Sequence, residues 1–131
     1  MVKISIGEDC GNAPKKQYIK EFLIACVSAD IETASGMVAD TVQLSIPGHA
    51  AVDGKEQAVR LLQSMVASSK VSELVVHNII SHGDRCAANG VIKLEGGSEV
   101  AFGSVYVFSN FSKSAKLKEV TIYPVVMQPD H

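Results

Sequence analysis

The second half of the chain constrains the fold most, because it reads as four consecutive strands joined by short turns. Strand-like apolar patterns run over residues 71–80, 86–94, 99–108 and 116–126, with turn residues between them. A tight Glu95-Gly96-Gly97-Ser98 turn joins the second of these strands to the third. This meander predicts a strongly curved, mostly antiparallel sheet that wraps around other elements.

The first half reads as three helices and one short strand. Apolar residues recur at three- and four-residue steps over residues 14–29, in a shorter stripe over residues 30–40, and again over residues 54–67, which predicts one apolar face on each of three helices. Residues 42–46 alternate between apolar and polar and therefore predict a strand. Two polar residues are placed to cap the first and second helices: Asn12 and Asp30.

The predicted order is α-α-β-α-β-β-β-β, and we expect one α+β domain over residues 1–131 with residues 1–12 as an N-terminal lead segment. Of the 131 residues, 47% are hydrophobic and 20% are charged, which is ample material for a compact core and excludes general disorder. The formal charge is −2 and only Arg60 and Arg85 are arginines. Because no basic stripe exists to neutralise phosphates, we expect no nucleic-acid partner.

The chain contains no apolar stretch of the length of a signal peptide or of the ~20 residues of a membrane span. We therefore expect a cytoplasmic protein without a membrane partner. Cys10, Cys26 and Cys86 show no Cys-x-x-Cys spacing, which favours reduced thiols. Neither the cysteines nor the four histidines suggest a metal site, and we expect no cofactor. A redox role for Cys10, near the start of the first helix, is the weaker interpretation.

Four local signatures follow one another in a specific order. They are Ala39-Asp40-Thr41-Val42, Asp53-Gly54-Lys55-Glu56-Gln57-Ala58, His82-Gly83-Asp84-Arg85 and Ile122-Tyr123. Together they resemble the nuclear transport factor 2-like superfamily, and within it small bacterial SnoaL-like proteins of unassigned activity. The resemblance implies a cystatin-like cone, in which three N-terminal helices pack on a strongly curved sheet, and a homodimer formed through the outer sheet face.

The same superfamily includes ketosteroid isomerase, whose chemistry can be compared with this chain. That enzyme uses a carboxylate base together with a tyrosine and a protonated aspartic acid as oxyanion donors. The resemblance places Ile46, Phe22 and Ser104 at the corresponding positions. An isomerase that works by those groups is therefore disfavoured. The inward positions also lack the carboxylates and arginine of an epoxide hydrolase relay.

The resemblance further predicts an almost wholly apolar lining for the cone, with Ser104 as its deep hydroxyl group. The small residues Ala88 and Gly90 are expected to leave space beside Phe102, and Ile92 and Val100 are expected to face the same interior. The predicted ligand-binding residues are Phe22, Val38, Ile46, His49, Leu62, Ala88, Gly90, Phe102, Ser104, Tyr106, Val120 and Ile122. A filled core remains the alternative to an open pocket.

Three functions follow from these alternatives. Binding of a small apolar molecule is the favoured interpretation. The second is a small-molecule isomerase, cyclase or hydrolase, with His49 at the expected mouth and Ser104 as its weak catalytic candidates, since an imidazole titrates near neutrality. The third is a dimeric interaction module with a filled core. Tyr106 is expected at the rim of the cone, and the Cys86 thiol is expected to stay protonated as a small hydrophobe.

The outer face of the predicted sheet carries too many apolar side chains for a solvated surface. Its predicted apolar members are Val91, Val105, Val107, Tyr123 and Val125. On the first strand of the meander, Glu73 and His77 are expected on this outer face, and Leu74, Val76 and Ile80 on the inner one. We therefore expect a twofold homodimer through the outer face.

Overall fold

The computed structural model describes residues 2–7, 14–67, 70–110 and 115–127. Within them it contains three helices, which are α1 (Pro14–Val27), α2 (Ile31–Gly36) and α3 (Lys55–Ala67). It contains seven strands, which are β1 (Lys3–Ile6), β2 (Val38–Ile46), β3 (Ala50–Asp53), β4 (Val71–His82), β5 (Arg85–Leu94), β6 (Glu99–Phe108) and β7 (Leu117–Met127). No described helix is long and apolar enough to cross a membrane.

All seven strands form one sheet in the order β1-β4-β5-β6-β7-β2-β3. The strands from β4 to β7 pair antiparallel with their neighbours, and parallel pairing occurs between β1 and β4 and between β2 and β7. The predicted meander and the α+β class are therefore confirmed. The three helices pack on the inner face of this curved sheet, and the core lies between the two layers.

Two short strands were not predicted. β1 lies inside the expected lead segment and pairs with the edge of β4, where Ile4 lies beside Leu74 and Ile6 beside Val76. The Ser5 hydroxyl donates to the Glu73 carboxylate over 2.6 Å, and this hydrogen bond lowers the pKa of Glu73. β3 forms a hairpin with β2. Four-residue strands carry too little pattern to be predicted, and each forms because a longer strand offers it an unpaired edge.

The helix boundaries follow local chemistry. Asp30 caps α2 as predicted, because its carboxylate accepts hydrogen bonds from the Thr33 backbone N–H at 3.2 Å and the Thr33 hydroxyl at 2.7 Å. The second helix was expected to reach Asp40, but it ends at Gly36 and the chain enters β2 at Val38. The predicted cap Asn12 and the predicted redox candidate Cys10 lie outside the described residues.

A register shift in β4 between Val76 and Asn78 changes which side chains face the core. Leu74 and Val76 point inward as predicted, but beyond the shift Ile79 is buried and Ile80 is 63% exposed. The expected inward orientation of Ile80 is therefore wrong. A β-bulge adds one residue to a strand and so reverses the alternation beyond it.

Gly90 of β5 lies opposite this bulge, paired with Val76. A Cβ atom placed on Gly90 would collide with the carbonyl oxygen of Val75 and lie 3.0 Å from the Val76 Cα. The glycine therefore permits a close approach of two backbones. It does not leave free volume beside Phe102, so this part of the cavity prediction is wrong.

Two glycine substitutions test this explanation. Gly90→Ala should lower the free energy of unfolding by roughly 1–3 kcal/mol or more, because the new methyl group overpacks against rigid backbone. The matched control is Gly103→Ala on β6, where a Cβ would meet nothing within 4 Å; it should raise stability by up to about 1 kcal/mol. Urea unfolding measures both, and equal effects of the two variants would contradict the close-approach explanation.

Candidate functional site

A cavity of about 110 Å³ lies between α1, α3 and the inner face of strands β4 to β7. Its lining combines two helices with the concave side of the sheet. The lining residues are Phe22, Leu23, Cys26 and Val27 of α1, Leu62 and Met65 of α3, Leu74 of β4, Ile92 and Leu94 of β5, Val100, Phe102, Ser104 and Tyr106 of β6, and Ile122 and Pro124 of β7. This cavity lies where the sequence predicted an apolar space inside the cone.

The cavity has a deep end and an open end. Phe22 and Tyr106 are each only 1% exposed, and their rings meet edge to face with centroids 6.1 Å apart. Met65 on α3 is 38% exposed, and Leu94 and Val100, beside the β5–β6 turn, are half-buried. A ligand would therefore enter past α3 and the β5–β6 turn and reach towards Tyr106.

Two hydroxyl groups meet at the deep end. The Ser104 hydroxyl donates a hydrogen bond of 2.7 Å to the Tyr106 hydroxyl, and Ser104 Oγ also lies 3.4 Å from the Ala88 carbonyl oxygen. Tyr106 was expected at the rim of the cone, but it is buried, because residues 104 and 106 share the inner face of β6 and both lie well inside the sheet. The prediction of Ser104 as a lone hydroxyl is therefore replaced by a bonded pair.

The ionisable groups of the cavity stay neutral near pH 7. Burial raises the pKa of Tyr106 above its ordinary range, and the Ser104 hydrogen bond opposes this shift only in part. Burial also raises the pKa of the Cys26 thiol to about 12. No aspartate, glutamate, histidine, lysine or arginine is among the described residues that line the cavity. What the described lining residues offer is therefore hydrogen bonds and apolar contacts.

The predicted site residues divide into two groups. Those that line the cavity are Phe22, Leu62, Phe102, Ser104, Tyr106 and Ile122; those that do not are Val38, Ile46, His49, Ala88, Gly90 and Val120. Most of the second group are buried in the core and are enclosed by their neighbours. His49 instead lies exposed in the turn between β2 and β3. His49 and Ser104, the two weak catalytic candidates of the alternative function, therefore do not share the cavity.

Sequence reasoning found only part of the helical wall of the cavity, namely Phe22 of α1 and Leu62 of α3. Leu23 and Cys26 belong to the apolar stripe that predicted α1, and Met65 to the stripe that predicted α3. A stripe shows which side chains turn inward but not which of them border empty space. Cys86, expected on the inner face, is buried; burial raises its thiol pKa to about 11, against a weaker opposing effect of Lys15 and Lys16.

A second, open groove of about 660 Å³ lies on the surface between α2, β2 and α3. Four of its charged side chains form two ion pairs, Lys55 with Asp40 at 3.1 Å and Arg60 with Glu56 at 2.9 Å. Asp53 is a further acidic residue of the lining, outside these two pairs. Among the described residues, no group of three or more His, Cys, Asp or Glu side chains is arranged to hold a metal ion.

Comparison with known proteins gives one family match and many structural ones. A family model described as a SnoaL-like domain matches residues 19–117. No curated protein matches the sequence. A protein of unknown function from Burkholderia xenovorans, described as NTF-2 like, superposes with a TM-score of 0.67 at 18% identity, covering 91% of this chain and 90% of that one.

Two further structures carry a suggested activity in their descriptions. A candidate ketosteroid isomerase from Kribbella flavida has a TM-score of 0.71 at 11% identity, covering 93% of this chain and 85% of that one. A candidate polyketide cyclase from Sinorhizobium meliloti has a TM-score of 0.67 at 12% identity, with 81% and 93% covered. At such identities the likeness establishes the shared fold and not a shared reaction.

The buried thiols make stability depend on alkaline pH. The pKa of Cys86 is raised from 9.0 to about 11, so its stabilising contribution is complete below pH 9 and is lost as pH rises through about 11. The free energy of unfolding should therefore decline over this window, and it should decline less steeply in Cys86→Ala. Urea titrations between pH 8 and pH 10.5 in a reducing buffer measure this. Identical pH profiles would contradict the assigned burial of the thiol.

Proposed function

The chain belongs to the SnoaL-like domain family, and we propose that it binds a small, largely apolar molecule in the cavity of the cone. The observation that carries the proposal is a void of about 110 Å³ with an apolar wall and one hydroxyl pair at its deep end. Pockets of this kind, apolar with a few converging polar groups, are the usual form of small-molecule sites. Ser104 and Tyr106 both line this cavity, which supports an open pocket over a filled core.

The volume of the cavity limits the size of the ligand. An apolar cavity of about 150 Å³ accommodates benzene, so a cavity of about 110 Å³ restricts the ligand to a compact molecule with about one small ring. A steroid ring system would require Leu62 and Met65 at the open end to move apart. The proposed ligand is therefore a compact molecule that is much smaller than a steroid.

Binding is favoured over catalysis because the described residues that line the cavity include no paired acid and base groups. Ile46, at the position that the resemblance assigns to the isomerase base, has no ionisable group and does not line the cavity. His49 lies in an exposed turn. Tyr106 keeps its proton near neutral pH, so it can donate a hydrogen bond but cannot remove a proton from a ligand.

A cavity-filling substitution tests the proposed binding. Val100→Phe adds volume inside the cavity and should abolish binding of toluene, measured by shifts of the cavity methyl signals in NMR titrations. It should cost little stability, because overpacking penalties arise only where space is absent. The matched control is Val105→Phe on the same strand, whose side chain lies on the outer face and is 40% exposed; it should leave toluene binding unchanged.

The binding proposal would be contradicted by the following pair of results. If wild-type protein shows no saturable toluene shift and Val100→Phe lowers the free energy of unfolding by roughly 1–3 kcal/mol, the space is too tightly packed to admit a ligand. The interaction module with a filled core would then be the better account of the fold.

We also propose a homodimer through the outer sheet face. The support is a patch of exposed apolar side chains on that face, at 63% for Ile80, 40% for Val105, 51% for Tyr123 and 60% for Val125. Contiguous apolar patches of this kind usually mark interfaces. Two residues that were expected in this patch are not exposed: Val107 is only 4% exposed and Val91 is half-buried. The bulge in β4 adds Ile80 to the patch.

Charge substitutions test the proposed dimer. The wild type should sediment as a dimer at tens of micromolar, and the double variant Val105→Lys/Val125→Lys should sediment as a monomer, because like charges would meet across the twofold axis. Gln63→Lys on exposed α3 is the control and should remain dimeric. A wild type that sediments only as a monomer would rule out this assembly.

The cytoplasm is the compartment that we propose for the chain. The support is that Cys26 and Cys86 are free thiols within the described residues, as is usual where the redox environment is reducing.

A further inference from the structure

The hydroxyl pair at the deep end of the cavity constrains the ligand further. Ser104 and Tyr106 are 3% and 1% exposed, and their oxygen atoms are 2.7 Å apart. Both side chains line the cavity, and the side chains of its other described lining residues consist of carbon and sulfur. Any polar atom of a ligand that reaches this end therefore has these two hydroxyl groups as its side-chain partners.

Counting protons shows what the pair can offer. Each hydroxyl has one proton, and one of the two protons is used in the mutual hydrogen bond. With Ser104 as that donor, the proton of Tyr106 is left for an oxygen in the cavity. With the roles reversed, the remaining proton of Ser104 has only the distant Ala88 carbonyl, at 3.4 Å, as its protein partner. In either arrangement, the pair can donate one hydrogen bond to a ligand.

The charge of the ligand is constrained by the same surroundings. Burial holds the pKa of Tyr106 above its ordinary range and that of Cys26 at about 12, so the site itself carries no charge near pH 7. No cationic side chain is found among the described lining residues. A carboxylate placed here would lose its hydration without gaining a counter-ion, which is strongly unfavourable.

We propose that the ligand is a compact neutral molecule with one hydrogen-bond-accepting oxygen, such as a cyclic ketone, bound with that oxygen at the Ser104–Tyr106 pair and its hydrocarbon part towards Phe102. This inference rests on the proposed function and adds the chemical class of the ligand. Unsubstituted hydrocarbons fit the wall but leave the donor unused. Carboxylates of the same size are excluded by their charge.

Two ligands of matched shape test the proposal. Cyclohexanone and methylenecyclohexane differ only in whether oxygen or a CH₂ group ends the double bond. Their dissociation constants are measured by NMR titration of wild type and of Ser104→Ala/Tyr106→Phe, whose paired replacement leaves no hydroxyl unsatisfied. Cyclopentanecarboxylate is titrated as the charged comparison. For each protein, the ratio of the dissociation constants of the two neutral ligands is calculated. Comparing this ratio between wild type and variant cancels the difference in hydrophobicity between the ligands.

The double variant should weaken cyclohexanone binding roughly threefold to tenfold relative to methylenecyclohexane, the usual effect of one neutral hydrogen bond. The matched control is Tyr18→Phe, which removes a hydroxyl that donates to the Met37 carbonyl outside the cavity; it should leave the ratio unchanged. If the double variant does not fold, Tyr106→Phe alone is used, with the same direction expected.

The remaining outcomes separate the two proposals. If both neutral ligands bind and the ratio of their dissociation constants is the same in wild type and in the double variant, the proposed ligand class is wrong and the proposed binding function stands. If neither ligand binds to wild type, the proposed function fails and the ligand class fails with it. Binding of cyclopentanecarboxylate as tightly as cyclohexanone would overturn the restriction to neutral ligands.

Discussion

The edge-to-face contact between Phe22 of α1 and Tyr106 of β6 joins the helical layer to the concave sheet. Both rings are almost fully buried, and aromatic pairs of this geometry contribute about 0.5–1.5 kcal/mol beyond their buried area. The contact fixes how closely α1 lies on the sheet at the deep end of the cone. Towards α3 and the β5–β6 turn no aromatic pair of described residues bridges the two layers, and the cavity occupies that space.

The sheet owes its shape to a bulge and a glycine that act together. The register shift after Val76 reverses the faces of the later part of β4, and Gly90 allows the backbone of β5 to come close at that point. One consequence lies inside, where Leu74 and Ile79 both face the core on opposite sides of the bulge. Another lies outside, where Ile80 joins Val105 in the exposed apolar patch. Interior space and outer surface therefore depend on the same irregularity.

Much of the fold could be predicted from sequence because its signals are local. The limits of β6 match the predicted residues, and the Asp30 cap of α2 follows from a side chain that bonds its own backbone three residues on. β1 could not be predicted, because its pairing depends on the distant edge of β4. The lining of the cavity was harder to predict than the strands. Alternation shows that Val120 and Ser104 both face inward, but only three-dimensional packing decides that Val120 is enclosed and Ser104 borders a void.

The central claim is that the cavity beside Ser104 admits a small apolar ligand, and xenon tests it most directly because this atom occupies apolar cavities. Diffraction from crystals held under xenon pressure should show an electron-density peak bordered by Phe22, Phe102 and Ile122, and that peak should be absent in Val100→Phe crystals. A wild-type map without xenon at this position, under conditions in which xenon binds elsewhere in the crystal, would contradict the account.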